Sequence, residues 1–183
     1  MNISANPWSF VPGDVNTTTI TSMTLNGDST VTAVVAATAG FVQGNPVTAA
    51  FNTSLAGIYN GFYVVKSVTN ATTMVLDQDR LPTRIPVGTG AAGATGNIGF
   101  CQWPTETRIE DISWQSSGAP AAVSVIAASD VLVITDRAGN PIWFSVAPVA
   151  AGTSFSQNRG KIFWVNGVTI FAMTHGIVLM TVN

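Results

Sequence analysis

Charge is what this sequence has least of. Only 9% of its 183 residues are Asp, Glu, Lys or Arg, where an ordinary soluble domain carries about 25%. Seven scattered Lys and Arg cannot release the counterions on which nucleic-acid affinity depends, so no nucleic-acid partner is expected. No apolar run reaches the roughly 18–20 residues of a membrane span. The densest, 162–173, is broken by Asn166 and Gly167, and no membrane partner is expected. A single cysteine, Cys101, can form neither an internal disulfide nor a thiolate metal cluster. The opening Met-Asn-Ile-Ser-Ala-Asn-Pro-Trp has no positive stretch and no apolar stretch, so no secretory leader is expected. Helix signals are also scarce. The best window, 53–59, offers one turn, without the i, i+3, i+4, i+7 stripe of an amphipathic helix.

The missing charge is not replaced by apolar residues, which make up 46% of the chain. It is replaced by Thr, Ser, Asn, Gly and Ala. A surface covered by such residues associates readily, because free domains rely on charge to stay apart. The composition therefore predicts a protein whose normal state is an assembly.

Strand signals fill most of the chain. Runs at 19–25, 29–36, 46–51, 61–68, 72–77, 107–114, 121–127, 131–135, 142–146 and 176–182 are short and rich in Val, Ile, Thr and aromatics. Their spacing of roughly 8–12 residues suits an all-β barrel or sandwich. Asn26-Gly27 between two runs predicts a two-residue hairpin turn, and Asn166-Gly167 predicts another between 161–165 and 168–173. A third hairpin is expected across 136–140, with Gly139 in the left-handed position. Proline and glycine crowd 81–104 and mark a linker. Residues 1–16 carry no strand pattern, yet hold Trp8 and Phe10 between Pro7 and Pro12. The expected architecture is all-β: an extended N-terminal arm (1–16), a small β-barrel (17–80), a Pro/Gly-rich linker (81–104) and a β-sandwich (105–183). The arm supplies the candidate interface residues Ile3, Trp8, Phe10 and Val11, because exposed aromatics on an arm dock somewhere.

Chemistry-bearing patterns are sparse. Gly88-Thr-Gly90-Ala-Ala-Gly93 matches G-x-G-x-x-G, but Pro86 and the Gly-Ala repeats deny it the helix that a dinucleotide site requires. His175, the one histidine, falls in a turn. No G-x-S-x-G elbow accompanies it, so it reads as a turn residue and not as a catalytic base. Asp77 and Asp79 end a strand where turn aspartates are ordinary, with a calcium site as the alternative. Glu110 and Asp111 are adjacent in a strand and point to opposite faces. Trp103, Trp114, Trp143 and Trp164 read as core residues, with a sugar-binding platform as the alternative. No catalytic residue, cofactor or metal is expected, and the chain reads as a non-enzyme.

One stretch carries a resemblance. Gly40-Phe41-Val42-Gln43-Gly44-Asn45-Pro46-Val47, then Tyr59-Asn60-Gly61-Phe62-Tyr63-Val64-Val65, then Thr72-Thr73-Met74-Val75-Leu76 resembles small β-barrel modules of tailed-bacteriophage virion proteins. These modules are likened to the first catalytic-cysteine half-domain of ubiquitin-activating enzymes. The resemblance covers about 50 residues and implies a structural unit with no ubiquitin chemistry. The second half is similar in style to phage head and tail accessory sandwiches. What this implies is a virion structural protein assembled in the host cytoplasm, most simply a decoration or cement protein on the capsid. Its partners would be the major capsid protein or other virion proteins, and copies of itself. A tail or neck component and a carbohydrate-binding adhesin module are the alternatives.

Overall fold

The computed structural model describes residues 1–51, 59–78, 96–116, 125–148, 156–160 and 163–183. The chain is all-β and divides into two compact units. Its strands are β1 (Trp8–Phe10), β2 (Thr17–Leu25), β3 (Thr30–Val35), β4 (Pro46–Phe51), β5 (Gly61–Asn70), β6 (Thr73–Gln78) and β7 (Gly96–Phe100), followed by β8 (Trp103–Gln115), β9 (Val131–Thr135), β10 (Pro141–Val146), β11 (Ser156–Asn158), β12 (Phe163–Met173) and β13 (Ile177–Val182). A 3-10 turn at Pro12–Asp14 separates β1 from β2. The helical turn expected at 53–59 lies outside the described residues except for Tyr59. So do the G-x-G-x-x-G stretch, Asp79, and 121–124 of one expected strand.

The first unit, Asn16–Pro104 with Arg137–Asn140, is a closed antiparallel barrel in the order β2-β3-β6-β5-β4-β7. Closure leaves no strand edge unpaired. Its core is aliphatic and aromatic, including Ile20, Met23, Leu76 and Ile98. Along β2 the buried residues Ile20, Met23 and Leu25 break strict alternation. A register shift between Ile20 and Ser22 against β3 adds one residue and brings Met23 back to the inner face.

Two expectations are corrected in this unit. The segment 81–104 is not wholly linker, because Gly96–Phe100 is the barrel's sixth strand, paired with both β2 and β4. Gly96 is there for space: a Cβ on it would stand 2.5 Å from the Phe51 ring of the neighbouring strand. Replacing Gly96 with Val is expected to cost about 1–3 kcal/mol by overpacking, measurable by urea denaturation. The chain then passes between units inside β8, between Pro104 and Thr105, so a strand makes this junction.

The turn at Asn26-Gly27 also differs. Asn26 N–H donates to the Thr30 carbonyl at 2.8 Å and Ser29 N–H to the Asn26 carbonyl at 3.2 Å. The left-handed residue is Ser29, with φ 68°, and Gly27 stands in open space. The connection is a four-residue loop, because side chains offset the cost of Ser29's conformation. Asp28 Oδ1 accepts from the Thr30 hydroxyl at 2.6 Å and from the Thr30 N–H at 3.2 Å. These bonds, the hydroxyl first, hold the Asp28 carboxyl below its ordinary pKa.

Tyr63 is a fully buried titratable group of the barrel. Its hydroxyl donates to the Tyr59 carbonyl at 2.8 Å, and desolvation pushes its pKa well above the ordinary value, with Tyr59 adding to the shift. The folded chain therefore holds this proton at a pH where the unfolded chain, near pH 10, releases it. Stability from this group is complete below about pH 10 and is lost as pH rises beyond it. Tyr63→Phe is expected to cost about 1 kcal/mol at pH 8. It should also flatten the alkaline loss by up to about 1.4 kcal/mol per pH unit, read from urea midpoints at pH 8 to 11.

The second unit, Met1–Val15 with Thr105–Asp136 and Pro141–Asn183, is a seven-stranded sheet. Its strand order is β1-β13-β8-β12-β9-β10, and β11 pairs separately with β8. The β9–β10 hairpin turns through Gly139 at φ 83°. The hairpin expected at Asn166-Gly167 is absent: β12 runs unbroken from Phe163 to Met173. Gly167 does take a positive φ of 84°, but inside a strand and without chain reversal.

Candidate functional site

The expected arm is not an arm. Trp8–Phe10 pairs antiparallel with β13, matching Trp8 to Met180, Ser9 to Leu179 and Phe10 to Val178. Asn2 and Ser9 exchange backbone hydrogen bonds at 2.8 Å, which occupies the outer side of β1. Asn6 clamps the far end, donating to the Val182 carbonyl at 2.7 Å and accepting from Val182 N–H at 3.1 Å. Of the four residues expected at an interface, Trp8 and Phe10 are buried in the chain's own fold. Ile3 is half-buried and Val11 is exposed. Three residues are too few to display a strand period, so this pairing left no local trace in the sequence.

His175 has a partner that sequence reading missed. It lies between β12 and β13, and its Nδ1 stands 2.7 Å from Oδ2 of Asp130, at the start of β9. The same Oδ2 accepts the Ala127 N–H at 2.7 Å. The His175 carbonyl accepts the indole N–H of Trp114 at 3.0 Å. Gly176 follows at φ 88°, where a Cβ would fall 2.6 Å from Ile126 and 2.8 Å from the Gln115 carbonyl. A carboxylate holding one imidazole nitrogen is the supporting half of a nucleophilic relay. The other half is a hydroxyl or thiol on the second nitrogen. Among the described residues, the His175 side chain makes its one hydrogen bond to Asp130. In this arrangement the pair fastens the turn before β9 to the turn before β13. Residues 130 and 175 share no motif, so only tertiary contact reveals it.

The remaining chemical candidates disperse. Asp77 and Asp28 flank Lys66 at 3.6 and 3.8 Å in open solvent. Glu110 accepts from Asn183 at 3.1 Å, while Asp111 accepts from Asn158 at 3.0 Å and from Gly160 N–H at 3.1 Å. Among the described residues, no three His, Cys, Asp or Glu side chains gather as metal ligands. Cys101 is buried, its thiol on the Trp103 carbonyl at 3.3 Å. Trp114 is fully buried, Trp103 and Trp143 are half-buried, and Trp164 stands 66% exposed.

The unusual surface feature is apolar. On β10, Phe144 is 64% and Val146 47% exposed. They sit opposite the half-buried Val133 and Val131 of β9. Not one residue of Pro141–Val146 carries a charge. Exposed apolar residues grouped in this way mark a contact surface more often than scattered single ones do. Comparison with known proteins finds no matching family, no matching curated protein and no matching solved structure.

Proposed function

We propose that the chain is a non-enzymatic structural component of a tailed-phage virion, bound to the major-capsid lattice as a decoration or cement protein. The observation that carries this reading is the uncharged, exposed Phe144 and Val146 on β10 of a chain with 9% charged residues. A contact of that size is weak alone and becomes strong when a lattice repeats it. The test is co-sedimentation of the purified chain with empty capsids. Saturable binding is expected, and Phe144→Ser should weaken it about tenfold, the loss of one buried aromatic contact. Absence of binding at concentrations far above those of the lattice sites would sink the proposal.

Trp164 favours a second reading, a carbohydrate-binding module, because an exposed indole suits the apolar face of a sugar ring. That reading requires glycan binding that Trp164→Ala removes, with capsid binding unchanged.

A further inference from the structure

One end of the second sheet is an uncharged strand. β10 ends the strand order, with β9 on one side. Ala147 shows which way its backbone groups point. Its N–H donates to the Asp130 carbonyl at 2.8 Å and its carbonyl accepts the Ser129 N–H at 3.0 Å, so both face the β9 side. Backbone direction alternates along an antiparallel strand. Ser145 therefore faces β9 as well, while Phe144 and Val146 turn their N–H and C=O away from it. Among the described residues, no hydrogen bond reaches these outward groups. Edge strands are usually blunted by Lys, by inward charge, by Pro, by a bulge or by cover; β10 has Pro141 and a register shift between Pro141 and Trp143 at its start, before the stretch 144–146. Here the strand carries no charge, and its two outward-bonding residues are also its exposed apolar ones.

We infer that β10 pairs antiparallel with β10 of a second copy of this chain, about a twofold axis at Ser145. The register follows from the geometry. With Ser145 opposite Ser145, Phe144 of each copy meets Val146 of the other as a hydrogen-bonded pair, and four outward backbone bonds form. Each Phe then lies beside a β-branched Val, a favourable cross-strand combination. Neither copy brings a charge to β10, so no like-charge repulsion opposes a like partner, and Pro141 lies outside the paired stretch 144–146. A twofold contact needs this self-complementarity, and a contact with a different chain would not. The paired strand is smaller than the roughly 800 Å² per partner of a stable complex, so the dimer is weak in dilute solution. The inference uses the same Phe144 and Val146 as the virion reading, and cross-linking of the purified chain without capsids keeps the failure of one distinct from the failure of the other.

Cysteine cross-linking tests it on the full chain. Ser145 faces its counterpart as a non-hydrogen-bonded pair, with Cα atoms roughly 4.5 Å apart, inside disulfide range. Its hydroxyl contacts Gln157 on β11, and the natural Cys101 is buried. With oxidised glutathione as the oxidant, Ser145→Cys is expected to give a disulfide-linked dimer. Thr21→Cys, on the exposed face of the barrel strand β2, should give none. In the Ser145→Cys background, Phe144→Lys should cut the rate of dimer formation about tenfold, with circular dichroism unchanged. Equal cross-linking of Ser145→Cys and Thr21→Cys overturns the inference, as does a rate that ignores Phe144→Lys. A wild-type chain that self-associates while Ser145→Cys stays uncross-linked places the contact elsewhere and also overturns it.

Discussion

Phe10→Ala is expected to cost about 3–5 kcal/mol, the usual range for emptying a buried aromatic site. Phe10 is fully buried, although it belongs to a three-residue strand near the chain's beginning. Its backbone is bonded to β13 at Val178. The neighbouring Val11 is 43% exposed, so Val11→Ala should fall within about 0.5 kcal/mol of wild type. Urea denaturation of the two variants separates a structural strand from a free arm. Equal, small effects would mean that residues 8–10 contribute nothing to the sheet.

Trp114→Ala should be at least as damaging. The indole is fully buried in β8, which pairs with Val178 on one side and with Gln157 on the other. Truncation removes its packing, worth about 3–5 kcal/mol, and takes the hydrogen-bond donor from the His175 carbonyl. Trp114→Phe separates the two effects. It keeps most of the apolar volume and loses the N–H, so about 1–3 kcal/mol should go with the unsatisfied carbonyl. Denaturation midpoints of the pair give the split, and a loss below about 1 kcal/mol for Trp114→Ala would contradict the buried role.

Where side-chain period and turn residues act locally, the sequence was informative. The limits of β4 and β9 follow directly from their Val, Thr and Ile runs, and Gly139 takes the left-handed turn position its surroundings suggest. Other features depend on neighbours distant in sequence. Gly96 reads as linker glycine until the Phe51 ring is placed against it. Asn166-Gly167 carries a strong hairpin signature, yet the flanking residues continue in one direction and the glycine's positive φ is absorbed within β12. Trp8–Phe10 becomes a strand only because β13 offers it an edge. The His175–Asp130 contact is likewise tertiary, with no spacing rule to announce it. The exposed apolar residues of β10 were hidden for a different reason. Alternation suggests which residues share a face of a strand, but not whether the outward face will be covered.

The route of the chain sets an order of events during synthesis. All six barrel strands lie between Thr17 and Phe100, so the barrel can close while the rest of the chain is still being made, as domains generally do. β1 emerges before any of them, yet its partner β13 emerges after all the others. Contacts of such high sequence separation form late, because a long loop must be ordered first. A ribosome halted near residue 145 would hold a finished barrel, with Trp8 and Phe10 trailing in front of it and no sheet edge to receive them. Throughout that interval the nascent chain carries two unburied aromatics, a ready target for a chaperone or for another nascent chain.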